Sequence, residues 1–162
     1  MQRTRQGRVG EVRPGDEAES GRPKQRAFCI AALERGEDLS ELRELLRTAG
    51  VAVVGQIVQH LEQPHPNTYI GPGKLIEVKE AAQAADANVV VCDDELSPRQ
   101  ERILEEGLGM PVVDRTTVIL DIFAGHAHSA EGKLQVELAQ LEYNMARMRG
   151  LWTHLELSLI HI

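Results

Sequence analysis

The sequence predicts an α/β fold: a four-stranded, mainly parallel sheet flanked by helices and followed by a long C-terminal helix. Short apolar runs alternate with helical patterns between residues 26 and 115, which is typical of βαβ units. Aromatic residues make up only 3% of the chain, so aliphatic side chains must form the core. Beyond Arg115 the pattern is helical only. The 162 residues therefore suffice for one sheet domain with an appended helical part.

The elements follow from apolar runs and from local start and stop signals. The expected strands are Ala27–Leu33, Val51–Leu61, Asn88–Cys92 and Met110–Val113. The expected helices run from Asp38 or Ser40 to Ala49, and over Lys74–Ala85, Ser97–Gly107, Thr116–Ala127 and Glu131–Trp152. Gly50 suits the C′ position of the first helix. Ser97, Pro98 and Gln100 are spaced as a capping box with proline at N1.

Charge and composition divide the chain into four segments. Residues 1–25 are rich in Arg, Gly, Pro and Glu and predict a disordered basic arm, either an RNA-touching tail or a solvated extension. Residues 26–115 form the α/β subdomain, residues 116–156 an incomplete helical subdomain, and residues 157–162 a separate tail. The net charge is −7, and the acidic body argues against a general nucleic-acid-binding surface.

The sequence predicts a cytoplasmic protein with no membrane span. The N-terminal residues contain no apolar signal region, and no apolar run approaches the roughly 18 residues of a spanning helix. The two cysteines, Cys29 and Cys92, lie in apolar stretches and show no zinc-ligand spacing. We expect buried, reduced thiols and no metal site.

The last helix carries a seam of apolar residues at the spacing of a coiled coil. Intervals of 4, 3, 4, 3 and 4 residues separate Leu134, Leu138, Leu141, Met145, Met148 and Trp152. Such a seam requires a partner, and self-association through Leu134–Trp152 is the preferred expectation. An exposed seam and one folded back on the sheet subdomain are the alternatives.

Three polar segments follow strands and should meet at the carboxyl edge of the sheet, where open parallel sheets bind ligands. They are TYIGPGK at 68–74, DDELS at 93–97 and DRT at 114–116. The first offers glycines and a lysine at a helix start, which suit a phosphate, but Leu75 stands where a P-loop has Ser or Thr. The sequence is compatible with either a structural turn or a phosphate loop for TYIGPGK. For the acidic segment DDELS it is compatible with either helix capping or magnesium binding.

Four segments in this order resemble the HflX family of ribosome-associated GTPases, over about Glu41 to Glu156. They are TYIGPGK, DDELSPRQ, PVVDRTTVILDIFAGHA and AEGKLQVELAQLEYNMARMRGLWTHL. The resemblance implies a parallel α/β subdomain followed by two long antiparallel helices, of which this chain has one. It also implies docking on large-subunit rRNA and a role in splitting or rescuing stalled or stress-inhibited ribosomes.

In the family, GTP and Mg²⁺ are bound by a G domain that follows. The sequence contains no G-x-x-x-x-G-K-S/T, so we expect a fragment that stops before the G domain, with no cofactor and no catalytic residue of its own. Cations and stacking side chains on the last helix are the expected rRNA contacts. They are Lys133, Arg147, Arg149, Trp152 and His154. Solvated flank charges are the alternative for the two arginines.

A second hypothesis is a stand-alone ATP-binding α/β protein, since adenine nucleotide binding is also attributed to this part of some family members. Its site would consist of Gly71, Gly73, Lys74, Asp94 and Asp114. A third is a coiled-coil adapter that uses the last helix.

Overall fold

The computed structural model describes the backbone of residues 25–160 and the side chains of residues 25–147. The strands are β1 (Arg26–Leu33), β2 (Ala52–His60), β3 (Val89–Cys92) and β4 (Val112–Asp114). The helices are α1 (Ser40–Thr48), α2 (Pro72–Ala84), α3 (Pro98–Leu108), α4 (Arg115–His126) and α5 (Ala130–Ile160). The predicted basic arm, apart from Gln25, lies outside the described residues.

The predicted four-stranded parallel sheet is confirmed. Its order is β2-β1-β3-β4, and all three pairs of neighbours are parallel. Ile30 of β1 lies between Ile57 of β2 and Cys92 of β3. From β1 the chain passes to β2 on one side of it and then crosses to β3 and β4 on the other side. The carboxyl ends of β1 and β3 therefore form the topological switch point at which sheets of this kind bind ligands.

Both faces of the sheet are covered, which explains why the strands are apolar without alternation. On one face, Phe28 and Ile30 of β1 pack with α2 and α3 through Val78 and Leu104. On the other face, Cys29 and the other odd-numbered residues of β1 pack with α1 and α4. The residues that cover this second face are Leu39, Leu42, Leu46 and Val118. Burial on both sides makes β1 the centre of the core.

Local capping signals were predicted correctly at α3 and at the end of α1. The Ser97 hydroxyl accepts from the backbone N–H of Gln100, whose side chain accepts from the N–H of Ser97. Gly50 follows α1 with φ of +75°. The start of α1 differs from the prediction, because its N-cap is Leu39 and no side chain caps it. The Asp38 carboxylate instead accepts from the N–H and hydroxyl of Ser40.

Helix α5 turns its most apolar side away from the sheet subdomain. It has 31 residues, about 46 Å at 1.5 Å per residue, and continues past the predicted end at Trp152. Its half-buried residues against α3 and α4 are Val136, Ala139, Gln140, Tyr143 and Arg147. Its exposed apolar residues are Leu134 (65%), Leu138 (57%), Leu141 (56%) and Met145 (43%). None of the described helices is long and apolar enough to cross a membrane.

The two cysteines are free and fully buried, as predicted. Burial raises the pKa of the Cys29 thiol to about 11 and that of Cys92 well above its usual range. At pH 8 about one Cys29 in a thousand is then a thiolate, the form that reacts. We expect iodoacetamide to leave both thiols unmodified in the native protein and to modify both in urea, as counted by mass spectrometry. Alkylation of either thiol without denaturant would contradict this burial.

Candidate functional site at the carboxyl edge of the sheet

The loop after β2 closes over the switch point through one tyrosine. The Tyr69 side chain is buried; its hydroxyl accepts from the backbone N–H of Ala32 at 3.1 Å and donates to Asp94 Oδ2 at 2.8 Å. Burial raises the pKa of this phenol above its usual range, so it remains a neutral donor. The Tyr69 backbone has φ of +65°, in the left-handed region that side chains rarely adopt. Tyr69 therefore links β1, the loop and the segment after β3.

The sequence predicted no role for Tyr69, because the glycines and the lysine are the residues of TYIGPGK that suit a phosphate. A usable signal was present: this tyrosine is one of only five aromatic residues in the chain and lies in a Pro/Gly loop. Rare aromatic residues in such loops supply large buried surfaces. The loop is also fastened to α3, because the Gln100 amide donates to the carbonyl of His65 at 3.0 Å.

The glycine-rich segment has the contacts of a structural turn. The Gly71 N–H donates to Gln59 Oε1 at 2.8 Å, and a Cβ at Gly71 would lie 3.2 Å from Gln59 Nε2. Gly71 is the N-cap of α2, and Pro72 occupies the first helical position. Lys74 Nζ pairs with Glu77 Oε2 at 3.1 Å within the same helix. The space beside Gly73 is open.

Asp114 is the most deeply buried charge at this edge, with 0% exposure. Its Oδ1 caps α4 by accepting from the N–H and hydroxyl of Thr117, both at 3.0 Å. Its Oδ2 accepts from the N–H of Leu96 at 3.0 Å and from the Tyr143 hydroxyl. Arg147 Nη2 also donates to Oδ2, at 2.5 Å. This one carboxylate therefore connects β4, α4, the segment before α3, and α5.

Arg147 completes the cluster from α5. Its guanidinium donates to Glu101 on α3 and to the Leu96 carbonyl, the latter at 2.9 Å. It also lies over the Tyr143 ring, 4.2 Å from the centroid. Burial raises the pKa of Glu101, and the charge of Arg147 opposes that rise. We call Asp114, Arg147, Tyr143 and Glu101 the α5 latch.

A second ion pair lies beside the switch point. Asp93 is buried at the end of β3, and its Oδ1 is 3.4 Å from Arg115 Nη1. Arg115 also pairs with Glu41 at the start of α1. Burial raises the pKa of Asp93, and the charge of Arg115 opposes that rise. These contacts join α1, the end of β3 and α4 at the edge where the sequence placed the acidic segment DDELS.

The residues expected to bind a nucleotide or rRNA have different surroundings in the structure. Asp94 contacts Tyr69, whereas Asp114 has no surface for a nucleotide to reach. Arg147, one of the expected rRNA contacts, is 15% exposed and pairs with Asp114 and Glu101. Lys133 is exposed near the start of α5. The side chains of Arg149, Trp152 and His154 lie outside the described residues.

Two family models match consecutive parts of the chain. The model described as "GTP-binding GTPase N-terminal" matches residues 36–124, more than half of the chain. The model described as "GTP-binding GTPase Middle Region" matches residues 126–159. The second match covers most of α5 and reaches into residues 157–162, which the sequence placed in a separate tail. The boundary between the two matches, at residue 125, falls in the last turn of α4.

Curated relatives and solved structures agree with these matches. GTPase HflX of Lacrimispora saccharolytica is 54% identical over 133 residues, covering 79% of this chain and 31% of that protein. GTPase HflX of Escherichia coli is 49% identical over 120 residues, covering 74% and 28%. A GTP-binding protein from Sulfolobus solfataricus in complex with GDP is 26% identical, with a TM-score of 0.61 over 80% of this chain and 40% of that one. The chain thus spans less than a third of these curated relatives. It belongs to the HflX family of GTPases and corresponds to the N-terminal and middle regions.

Proposed function

We propose that this chain is the part of an HflX-type GTPase that docks on rRNA of the large ribosomal subunit, in the splitting or rescue of stalled ribosomes in the cytoplasm. The observation that carries the proposal is the family match over residues 36–124 and 126–159. We assign GTP and Mg²⁺ binding to parts of the relatives that this chain does not span, because G-x-x-x-x-G-K-S/T is absent from its sequence.

The proposed rRNA contact lies along α5. Lys133 is exposed near its start, and the sequence places Arg149, Trp152 and His154 further along the same helix. Lys133 and Arg149 are 16 positions apart, or about 24 Å along the helix axis. At 3.6 residues per turn the two positions also differ by about 160° around the helix axis, so the two cations would contact different segments of the RNA. Since the body of the chain is acidic, the contact must come from these local cations.

Binding to isolated large subunits is expected to be weak, salt-dependent and unchanged by GTP. The double variant Lys133→Ala with Arg149→Ala should flatten the slope of log affinity against log salt by about 1.4 to 1.8, because each lost phosphate contact contributes about 0.7 to 0.9. Co-sedimentation of the 162-residue chain at several salt concentrations measures this slope.

The matched control is Lys79→Ala with Arg99→Ala, which removes the same charge from exposed positions on α2 and α3. It should leave the slope unchanged. Equal losses in both double variants would show that only net charge matters and would reject α5 as the contact. No co-sedimentation of the unmodified chain at low salt would reject ribosome docking itself.

A further inference from the structure

We propose that Arg147 is a positioning residue that fixes the direction of α5 relative to the sheet subdomain. The part of this inference that concerns the ribosome rests on the proposed docking function: a fixed α5 presents its rRNA-contacting side chains in one orientation. The observation that carries it is the α5 latch, in which one guanidinium contacts α3, the segment before α3 and the end of β4.

Few other described contacts hold this part of α5 in place. Its apolar residues Leu134, Leu138 and Leu141 are more than half exposed and face away from the subdomain. Toward α4, the Gln140 amide lies 3.4 Å from the exposed Asp121 carboxylate, a long and solvent-accessible contact. Only three residues connect α4 to α5. Without the latch, the helix is held by this connection and by a narrow row of half-buried side chains.

The chemistry of the latch specifies direction better than apolar packing does. Apolar contact is non-directional, so a helix held by it can rotate or slide at little cost. A guanidinium has a planar array of donors with fixed angles, and here its terminal nitrogens donate to Asp114, Glu101 and the Leu96 carbonyl. Asp114 is itself fixed by donors from Leu96 and Thr117. Its position is therefore independent of α5.

Spin labels placed on the two parts test the orientation. Cysteines at Glu80 on α2 and Glu137 on α5, both exposed, accept labels while the buried Cys29 and Cys92 do not. The distance distribution should be narrow in the unmodified background and broad in Arg147→Met. Arg147→Lys should give an intermediate width, because the compact ammonium group keeps the charge but lacks the rigid planar fork of the guanidinium. Arg99→Met removes an exposed arginine of α3 and should leave the distribution narrow.

Affinity for isolated large subunits, measured on the same variants without labels, tests the consequence. If the freed helix holds the competent direction about a tenth of the time, Arg147→Met should bind about tenfold more weakly, and Arg147→Lys should recover part of the loss. Broad distances with unchanged affinity would overturn the link to docking, because the direction of α5 would then not affect binding to the subunit. If the unmodified chain does not bind subunits, the docking proposal fails, while the distances still decide whether Arg147 sets the direction of α5.

A milder variant covers the case in which Arg147→Met unfolds the protein. Tyr143→Phe removes the hydroxyl that donates to Asp114 but keeps the ring beneath the guanidinium. We expect a distribution broader than in the unmodified protein and narrower than in Arg147→Met. Resistance of Cys29 and Cys92 to iodoacetamide confirms that the sheet subdomain remains folded. Narrow distances in both folded variants would overturn the inference.

Discussion

Asp114→Ala is expected to lower the free energy of unfolding by about 4 kcal/mol, the largest loss for any single side chain at the sheet edge. The substitution leaves the guanidinium of Arg147 without its innermost partner, and breaking a buried ion pair from one side costs about 3–5 kcal/mol. It also removes the N-cap of α4, which is worth about 1 kcal/mol. Urea unfolding followed by far-UV circular dichroism measures the loss.

Two further variants test whether the loss depends on the charge of Asp114 and on its buried position. Asp114→Asn keeps an oxygen to cap α4 but lacks the charge that pairs with Arg147, so its loss should be about 3 kcal/mol. Asp121→Ala removes an exposed carboxylate from the same region, and its effect should stay within about 0.5 kcal/mol. A loss in Asp114→Ala no larger than that in Asp121→Ala would show that the latch contributes nothing to stability.

The latch shows where prediction from this sequence ends. Strands, helices and the α3 capping box have local causes: apolar runs, helical spacing and short-range donor–acceptor pairs. Asp114 and Arg147 are 33 positions apart, and each had an adequate local interpretation, as a ligand at the sheet edge and as a solvated or RNA-facing cation. Their contact depends on the direction in which α5 leaves α4, and no local pattern encodes that direction.

The same limit applies to strand order and to Tyr69. Alternating strands and helices predict parallel pairing, but the position of β1 between β2 and β3 follows only from how all the helices pack. Tyr69 occupies a left-handed backbone conformation that loop composition assigns to glycine, and its partners come from β1 and from the segment after β3. Its role depends on tertiary contacts that sequence spacing does not show.

The apolar seam of α5 was predicted from its spacing. The sequence allowed three arrangements for it: pairing with a second copy, exposure to solvent, or packing on the sheet subdomain. The structure places Leu134, Leu138, Leu141 and Met145 in solvent, 43–65% exposed. The usual expectation that the apolar side of a helix faces the core fails here, because the opposite side carries Tyr143 and Arg147 of the latch. Burial of one polar cluster therefore directs the apolar side outward.

Self-association through this seam is the expected consequence for the isolated chain. Fully burying an aliphatic side chain is worth about 1.5–3 kcal/mol, and these four are about half exposed, so two copies would gain roughly 6–12 kcal/mol. Association itself costs on the order of 4–15 kcal/mol, so the net affinity should be modest. A second copy is the partner available to an isolated chain, and it carries the same spacing. Sedimentation velocity should show monomer and dimer in exchange at about 10–300 μM.

A matched pair of substitutions locates the interface. Leu138→Glu places a charge in the middle of the seam and should leave only monomer across that concentration range. The free energy needed to bury the carboxylate exceeds the free energy gained from the contact. Ile76→Glu makes the same change on α2, where Ile76 is 62% exposed against 57% for Leu138, and should leave the equilibrium unchanged. If both variants dissociate the dimer equally, net charge and not the seam controls association. If the unmodified chain remains monomeric at 300 μM, the seam does not pair with itself, and the free energy of burying four half-exposed side chains falls short of the cost of association.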